Sequence, residues 1–138
     1  MTNRPTLLDT DVLSAIMRQH PQATARARRY LIEQRRFTIS IITRYEVLRG
    51  LLARQAVRQQ HAFEQLCAAS EVLPITEAVG VQAAAIYADL YTRGQLIGDA
   101  DILIAATALV HGCAVATNNE AHYRRIPGLA VENWLHAG

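Results

Sequence analysis

The sequence predicts an α/β fold in which a central, mainly parallel sheet of four to five strands lies between layers of helices. Short apolar, β-branched runs alternate with longer helical segments, and this alternation is typical of a parallel sheet that is covered on both faces. The length of 138 residues suffices for one domain that buries about two-thirds of its unfolded surface. Because no repeat or linker-like stretch divides the chain, we expect residues 1–138 to form a single domain.

The strands are predicted from short apolar runs bounded by polar or turn-forming residues. The first run, TLL, ends at an aspartate, and the second, FTISII, is rich in β-branched residues. The predicted strands cover residues 6–8, 37–42, 71–75 and 114–117, and a short fifth strand is expected within 126–134.

The helices are predicted from residue type and from the signals at their ends. Asp11 and Thr76 are suitable N-caps for the first and the fifth helix, and Gly94 ends the fifth. The first five predicted helices cover residues 12–17, 22–36, 43–54, 56–69 and 77–92.

The segment GDADILIAATALVHG has two possible structures. Its mostly apolar run at 102–110 fits either a buried strand or a buried helix. Asp99 before the run, the alanines within it and Gly112 after it favour a helix of about three turns.

The charged residues are unusual in kind rather than in number. All fourteen basic residues are arginines, and four of the five aspartates fall in two D-x-D triplets. The net charge of +2 is too small to identify a binding partner. Arginine pairs bidentately with phosphate, although an all-arginine set is also consistent with genome composition.

The cysteines and the apolar runs bear on the cellular compartment. Cys67 and Cys113 lack the spacing of a metal site, and we expect buried intracellular thiols rather than a disulfide. No apolar run approaches the ~20 residues of a membrane span. Asp9 and Asp11 interrupt the N-terminal apolar run, which is atypical of a signal peptide. A cytoplasmic location is therefore expected.

Several acidic and amide side chains fall where the predicted strands end or the following helices begin. Their positions in the predicted fold are Asp9 after strand one, Glu46 in the helix after strand two, Asp99 and Asp101 before strand four, and Asn118, Asn119 and Glu120 after strand four. These positions share one edge of a parallel sheet, where binding crevices form. Carboxylates held close together repel one another, so a divalent cation would stabilise the group, and oxygen-only ligands suit Mg²⁺ or Mn²⁺.

Most of these acids also have a purely structural explanation. Asp11 and Asp99 can be N-caps, and Glu46 fits a T-x-x-E capping box that starts at Thr43. Asp101 gains from the helix dipole by about 0.3–1 kcal/mol. Asp9 is the exception, because a carboxylate that ends a buried strand destabilises the fold unless it has a partner.

Four segments of the chain resemble motifs of a known family, and they are, in order, LLDTDVLS, ITRYEVLRG, GDADILIAATALVHG and AVATNNEAHYRRIPGLAVENW. Together they resemble the successive motifs of PIN-domain ribonucleases, in particular the VapC-type toxins of toxin–antitoxin modules. The resemblance implies a three-layer α/β/α PIN-like domain. It implies that Asp9, Glu46 and Asp101 are catalytic metal ligands and that Asp99 is an auxiliary ligand or a cap. The fourth acidic position of the family falls on Asn119, which puts a strong second metal site in doubt.

The resemblance also implies an activity and partners. A Mg²⁺-dependent endoribonuclease that cleaves single-stranded RNA, with Mn²⁺ as a possible alternative, is expected to form a homodimer and to be neutralised by a cognate VapB-type antitoxin. Arginines would contact the phosphates of the RNA, and the candidates are Arg26, Arg28, Arg29, Arg44, Arg49, Arg124 and Arg125. His122, Tyr123 and Trp134 are assigned to packing or to the surface.

Two alternative functions are compatible with part of the sequence. LLDTDVL also resembles the nucleophile motif of haloacid-dehalogenase-type phosphatases, but Val12 replaces the usual glycine and the chain has no lysine to hold the phosphate. A non-catalytic RNA- or partner-binding PIN-like module is the other alternative, and Asn119 is the feature in its favour.

Overall fold

A five-stranded parallel sheet forms the centre of the computed structural model, which describes residues 4–136. The strand order is β3-β2-β1-β4-β5, and every neighbouring pair is parallel. The strands are β1 Thr6–Leu8, β2 Thr38–Ser40, β3 Glu71–Leu73, β4 Ala114–Ala116 and β5 Val131–Glu132. All five predicted strands are confirmed, although most are shorter than the apolar runs that predicted them.

Seven helices connect these strands within the described residues. They are α1 Thr10–Met17, α2 Pro21–Gln34, α3 Ile41–Ala53, α4 Val57–Ala68, α5 Glu77–Thr92, α6 Asp99–His111 and α7 Glu120–Tyr123. The apolar run at 102–110 is helical, as its flanking residues predicted. Gly112 ends that helix in the left-handed conformation at φ 68°, which glycine adopts without the strain that a side chain introduces.

The sheet separates two apolar cores, so the fold has three layers. Leu7 and Leu8 are consecutive in β1 and fully buried, and they point to opposite faces because side chains alternate along a strand. Leu7 packs in the core beneath α5 and α6, whereas Leu8 packs in the core that contains Phe63 and Trp134. Burying one large apolar side chain contributes about 1.5–3 kcal/mol, which explains why a central strand of three residues suffices.

The strand order reverses between β1 and β4, and this reversal positions the candidate site. The chain builds the sheet outward from β1 through β2 to β3, then crosses to the other side of β1 to add β4 and β5. Leu8 is in register with Ala116, so Asp9 and Thr117, which follow these residues, lie side by side. The Asp9 backbone N–H donates to the Ala116 carbonyl at 2.9 Å. Crevices at such reversals are the usual ligand sites of parallel α/β sheets.

Three predicted helix caps are wrong, each by one to three residues. Asp9, not Asp11, caps α1, because the strand ends directly at the helix and leaves Asp11 in the first turn. Ser40 caps α3, so Glu46 does not form a capping box with Thr43. Gly98 precedes α6, and Asp99 is the first residue of that helix rather than its cap.

Two other sequence-based expectations are met. Cys67 and Cys113 are both buried free thiols. Within residues 4–136, no helix is both long enough and apolar enough to cross a membrane.

Candidate active site

Asp9 is the most buried acid of the candidate site, with 6% of its surface exposed. Its Oδ1 accepts the backbone N–H of Thr10 at 2.8 Å, and its Oδ2 accepts the hydroxyl of Thr117 at 2.8 Å. Burial first, and then the neighbouring carboxylate of Asp11, raise the pKa of Asp9 to about 7, and the hydrogen bonds from Thr117 and Thr10 offset only part of this rise. Asp9 therefore ends its strand with a carboxylate whose charge is costly and whose orientation is fixed by two donors.

Asp11 lies in the first turn of α1 and faces the end of β4. Its Oδ2 accepts the backbone N–H of Asn118 at 3.0 Å, whereas its buried Oδ1 has no hydrogen-bond partner among the described residues. Burial raises the pKa of Asp11, and the carboxylate of Asp101 adds to the effect. Sequence reasoning assigned Asp11 to a cap and missed this position. The D-x-D spacing could have predicted this position. If Asp9 is the N-cap of α1, then Asp11 lies in the first turn of the helix, beside the ends of the strands.

Asp101, in the first turn of α6, is held by two side chains of α7. Its Oδ1 accepts the hydroxyl of Tyr123 at 3.3 Å, and its Oδ2 lies 3.2 Å from Nδ1 of His122. Tyr123 is fully buried. Its pKa is raised by burial first and then by the carboxylates of Asp9 and Asp101. Sequence reasoning treated both α7 side chains as packing or surface groups.

Asn119 is drawn into the same network through its side chain. Its Nδ2 lies 2.8 Å from Nδ1 of His122, and its backbone N–H donates to the Thr117 hydroxyl at 2.9 Å. Glu120, the next residue, points to other partners and accepts from Arg124 at 2.7 Å and from Asn133 at 2.9 Å. The amide at 119, and not the adjacent acid, therefore belongs to the site.

Glu46 is connected to Asp9 through Thr10. Its Oε1 accepts the Thr10 hydroxyl at 2.6 Å, and its Oε2 lies 3.9 Å from an Nη of Arg49. Asp99 is exposed at the start of α6 and forms no hydrogen bond or ion pair with the described residues. Of the five predicted catalytic residues, Asp9, Asp101 and Asn119 share one network, Glu46 borders it and Asp99 stands apart.

The acidic cluster, defined here as Asp9, Asp11 and Asp101, gathers three carboxyl groups at one edge of the sheet. Both Asp11 and Asp101 raise the pKa of Asp9. A buried charge without a partner is unfavourable by several kcal/mol in an apolar environment. His122, 3.2 Å from Asp101, is the basic side chain in contact with the cluster, whereas the groups that hold Asp9 are the neutral donors of Thr10 and Thr117.

The donor set of the cluster fits a hard divalent cation. Its atoms are carboxylate oxygens, which Mg²⁺ and Mn²⁺ prefer, and the buried Oδ1 of Asp11 is a lone acceptor that a cation would satisfy. Within residues 4–136, no three acidic, histidine or cysteine side chains are arranged so that they could surround one ion. The cluster therefore has the donor chemistry of a cation site without a preformed arrangement of three ligands.

Most of the arginines predicted to contact phosphate already have partners. Ion pairs join Arg26 to Glu132, Arg44 to Glu64 and Arg124 to Glu120, and Arg125 donates to the carbonyls of Gln95 and Leu96. Arg28 and Arg29 are exposed on α2. Arg49 is exposed, and one of its Nη atoms lies 3.9 Å from Oε2 of Glu46.

A comparison with protein families identifies the family to which the fold belongs. The family model described as PIN domain matches residues 6–129. The chain belongs to the PIN-domain family. This match leaves no place for the phosphatase alternative and agrees with the predicted three-layer fold.

Relatives within the PIN family are named as VapC nucleases. The chain is 30% identical over 129 residues to the tRNA(fMet)-specific endonuclease VapC of Salmonella typhimurium, covering 93% of this chain and 96% of that protein. It is 34% identical to the VapC ribonuclease Y4jK of Sinorhizobium fredii, covering 92% and 95%. These matches confirm the predicted family branch, and the chain is accordingly a VapC-type PIN-domain nuclease.

Solved structures agree with this assignment. The DNA-bound VapBC of Salmonella typhimurium superposes with a TM-score of 0.83 at 29% identity, covering 95% of this chain and 98% of that chain. FitAcB of Neisseria gonorrhoeae superposes with a TM-score of 0.83 at 28% identity, and the match covers 96% of this chain and 99% of that chain.

Proposed function

We propose that this PIN-domain nuclease is a Mg²⁺-dependent endoribonuclease toxin that cleaves single-stranded regions of RNA, with Mn²⁺ as an alternative ion. The observation that carries the proposal is the buried carboxylate of Asp9, set beside Asp11 and Asp101 without a compensating cation. A cluster of this kind destabilises the free protein and becomes favourable when a divalent ion binds. The cytoplasm, where RNA and Mg²⁺ are abundant, is the proposed location.

The roles of the acids follow from how each one is held. Asp9 and Asp101, whose oxygens are oriented by hydroxyl and backbone donors, would hold the ion, and Asp11 would add its unpartnered oxygen. Glu46, predicted as a third ligand, is fixed through Oε1 by Thr10 and keeps Oε2 for a water at the edge of the cluster. When bound, the ion would neutralise charge on the scissile phosphate and favour ionisation of the attacking water.

Asn119 and Asp99 have smaller proposed roles. The amide of Asn119 adds no charge and contacts His122, so it would support the site without creating a strong second ion position. Asp99, exposed and without a partner in the described part of the chain, would contribute little to ion binding.

The similar solved structures support proposals about protein partners. One of them is the DNA-bound VapBC of Salmonella typhimurium, in which the toxin is assembled with its antitoxin. We infer that a VapB-type antitoxin neutralises this chain by covering the acidic edge and that the chain forms a homodimer. A basic antitoxin side chain placed among Asp9, Asp11 and Asp101 would compensate the same charge as the cation.

Cleavage of a panel of structured and single-stranded RNAs by purified protein, freed of antitoxin, tests the proposed activity. The assay is run with Mg²⁺, with Mn²⁺ and with EDTA, and Asp9→Asn serves as the matched variant. Cleavage that needs the ion and is lost in Asp9→Asn is the expected result. If the protein binds RNA but does not cleave it under any of the three conditions, the non-catalytic binding module is favoured. Cleavage in the presence of EDTA would contradict the proposed metal dependence.

A further inference from the structure

The hydroxyl of Tyr123 is a buried polar group devoted to a single acceptor. Tyr123 is fully buried, and its ring packs in the core beneath α5 and α6. The hydroxyl donates to Oδ1 of Asp101 at 3.3 Å and makes no other hydrogen bond in the described part of the chain. A phenylalanine would supply the same ring to the core, so packing alone does not account for the hydroxyl.

The other group beside Asp101 is a less reliable donor. Nδ1 of His122 lies 3.2 Å from Asp101 and 2.8 Å from the amide nitrogen of Asn119. A single ring nitrogen donates when it carries a proton and accepts when it does not, so it cannot serve Asp101 and this amide nitrogen simultaneously. The Tyr123 hydroxyl, in contrast, is always a donor toward a carboxylate.

We propose that Tyr123 is a positioning residue whose hydroxyl holds the Asp101 carboxylate toward Asp9 and Asp11 and thereby sets the affinity of the acidic cluster for a divalent cation. This inference rests on the proposed function. It extends that function from the ligands to the group behind one of them, because partners that orient metal ligands typically change metal affinity or activity by about 10–100-fold.

The test compares Mn²⁺ binding by the wild-type full chain with Mn²⁺ binding by Tyr123→Phe. Binding is measured from the decrease of the electron paramagnetic resonance signal of free Mn²⁺. We expect the dissociation constant for Mn²⁺ to rise about tenfold in Tyr123→Phe. Tyr30→Phe is the matched control, since its hydroxyl accepts the Thr6 backbone N–H at 2.9 Å at the opposite end of β1. That variant should lose stability while its Mn²⁺ affinity stays at the wild-type value.

The outcomes separate this inference from the proposed function. Absence of Mn²⁺ binding by the wild-type chain would overturn both. Wild-type binding that is lost in Asp9→Asn but unchanged in Tyr123→Phe would overturn only the role of Tyr123. An equal loss of affinity in Tyr30→Phe and Tyr123→Phe would also overturn it, because the effect would then follow stability rather than position.

A second measurement leaves position 123 intact in case Tyr123→Phe fails to fold. Replacing the other four tyrosines with phenylalanine and labelling with 3-fluorotyrosine gives one ¹⁹F resonance, and three of those tyrosines, at 45, 87 and 91, are exposed. We expect this resonance to shift on addition of Mg²⁺ and to stop shifting when the site is saturated. A resonance whose chemical shift stays the same at saturating Mg²⁺ would overturn the inference.

Discussion

At the ends of β1 and β2 the chain passes directly from a strand into a helix, and the helix is capped by a carboxylate in one case and by a hydroxyl in the other. Asp9 directly follows the buried strand β1, and Ser40 is the last residue of the buried strand β2. Each caps the next helix from an extended backbone, at φ −72°, ψ 160° and φ −80°, ψ 152°. Asp9 accepts the N–H of Thr10 at 2.8 Å, and Ser40 accepts the N–H of Ile42 at 3.0 Å. Both residues are buried, with 6% and 0% exposed.

Ser40 shows that a neutral hydroxyl is sufficient for this capping role. The charge of Asp9 is therefore not required by the fold, and its raised pKa shows that burial and Asp11 oppose that charge. The difference lies in location, because β1 borders the reversal of strand order and β2 does not. The comparison shows that the capping role alone does not account for the carboxylate of Asp9, which supports the proposed role of this residue in ion binding.

The largest expected effect is the loss of cleavage in Asp9→Ser. The serine should keep the cap, as Ser40 does, while removing a ligand whose ion contributes several kcal/mol to the transition state. We expect RNA cleavage to fall on the order of 10³-fold, with an unchanged circular dichroism spectrum. Activity within tenfold of wild type would show that the charge of Asp9 is dispensable.

The second-largest expected effect is a pH dependence of stability that comes from Asp9 at the end of β1. The folded-state pKa of Asp9 is raised to about 7 from an ordinary value near 3.8, so the folded state binds more protons between those values. The ion-free protein should therefore lose a few kcal/mol of stability as pH rises from about 4 to 7. Urea unfolding at a series of pH values measures this slope. The slope should be much smaller in Asp9→Asn, and equal slopes would refute the assignment.

A carboxylate introduced at the end of β2 should destabilise the folded protein without creating an ion-binding site. Ser40→Asp places a carboxylate in a fully buried position away from the strand reversal, and we expect it to lower the free energy of unfolding by about 2–3 kcal/mol at pH 7. Ser40→Ala, which removes the cap alone, should lower it by about 1 kcal/mol. Chemical denaturation compares the two variants, and a Ser40→Asp protein as stable as wild type would remove the basis of the comparison.

The smallest expected effect belongs to Asp99. Because this side chain is exposed and unpartnered in the described residues, Asp99→Asn should change RNA cleavage and Mg²⁺ affinity by less than about twofold. Asp101→Asn is the matched comparison on the same helix and should abolish cleavage. A large loss in Asp99→Asn would make it an auxiliary ligand, as the family resemblance allowed.

The sequence predicted the sheet and the longer helices because their signals are local. Apolar runs identified the strands, and α5 and α6 carried recognisable ends such as Thr76 and Gly112. The predicted cap at Asp11 failed because β1 passes directly into α1 and leaves no loop to mark the boundary, and the predicted cap at Asp99 lies one residue beyond the observed cap, Gly98. A shift of one or two residues then exchanges a cap with a first-turn side chain.

For the candidate site, the sequence predicted Asp9 and Asp101 but not the side chains that contact Asp101. The two acids were identified from their positions and from the family resemblance, and their role as ligands stays a prediction. The four-residue helix α7 is too short to show a period, so nothing in the sequence pointed His122 or Tyr123 toward Asp101. Contacts of this kind depend on how α6 and α7 pack, which a linear pattern does not encode.

Thermal unfolding of the wild-type chain and Asp9→Asn at pH 8, with and without Mg²⁺, tests the central claim most directly. The claim is that the charge of Asp9 destabilises the free protein and is stabilised by a bound cation. Without the ion, Asp9→Asn should be the more stable protein. With Mg²⁺ at about 100 times its dissociation constant, the wild type should gain about 2.7 kcal/mol and the variant nothing. A variant that is less stable without the ion, or equal stabilisation of both proteins by Mg²⁺, would contradict the claim.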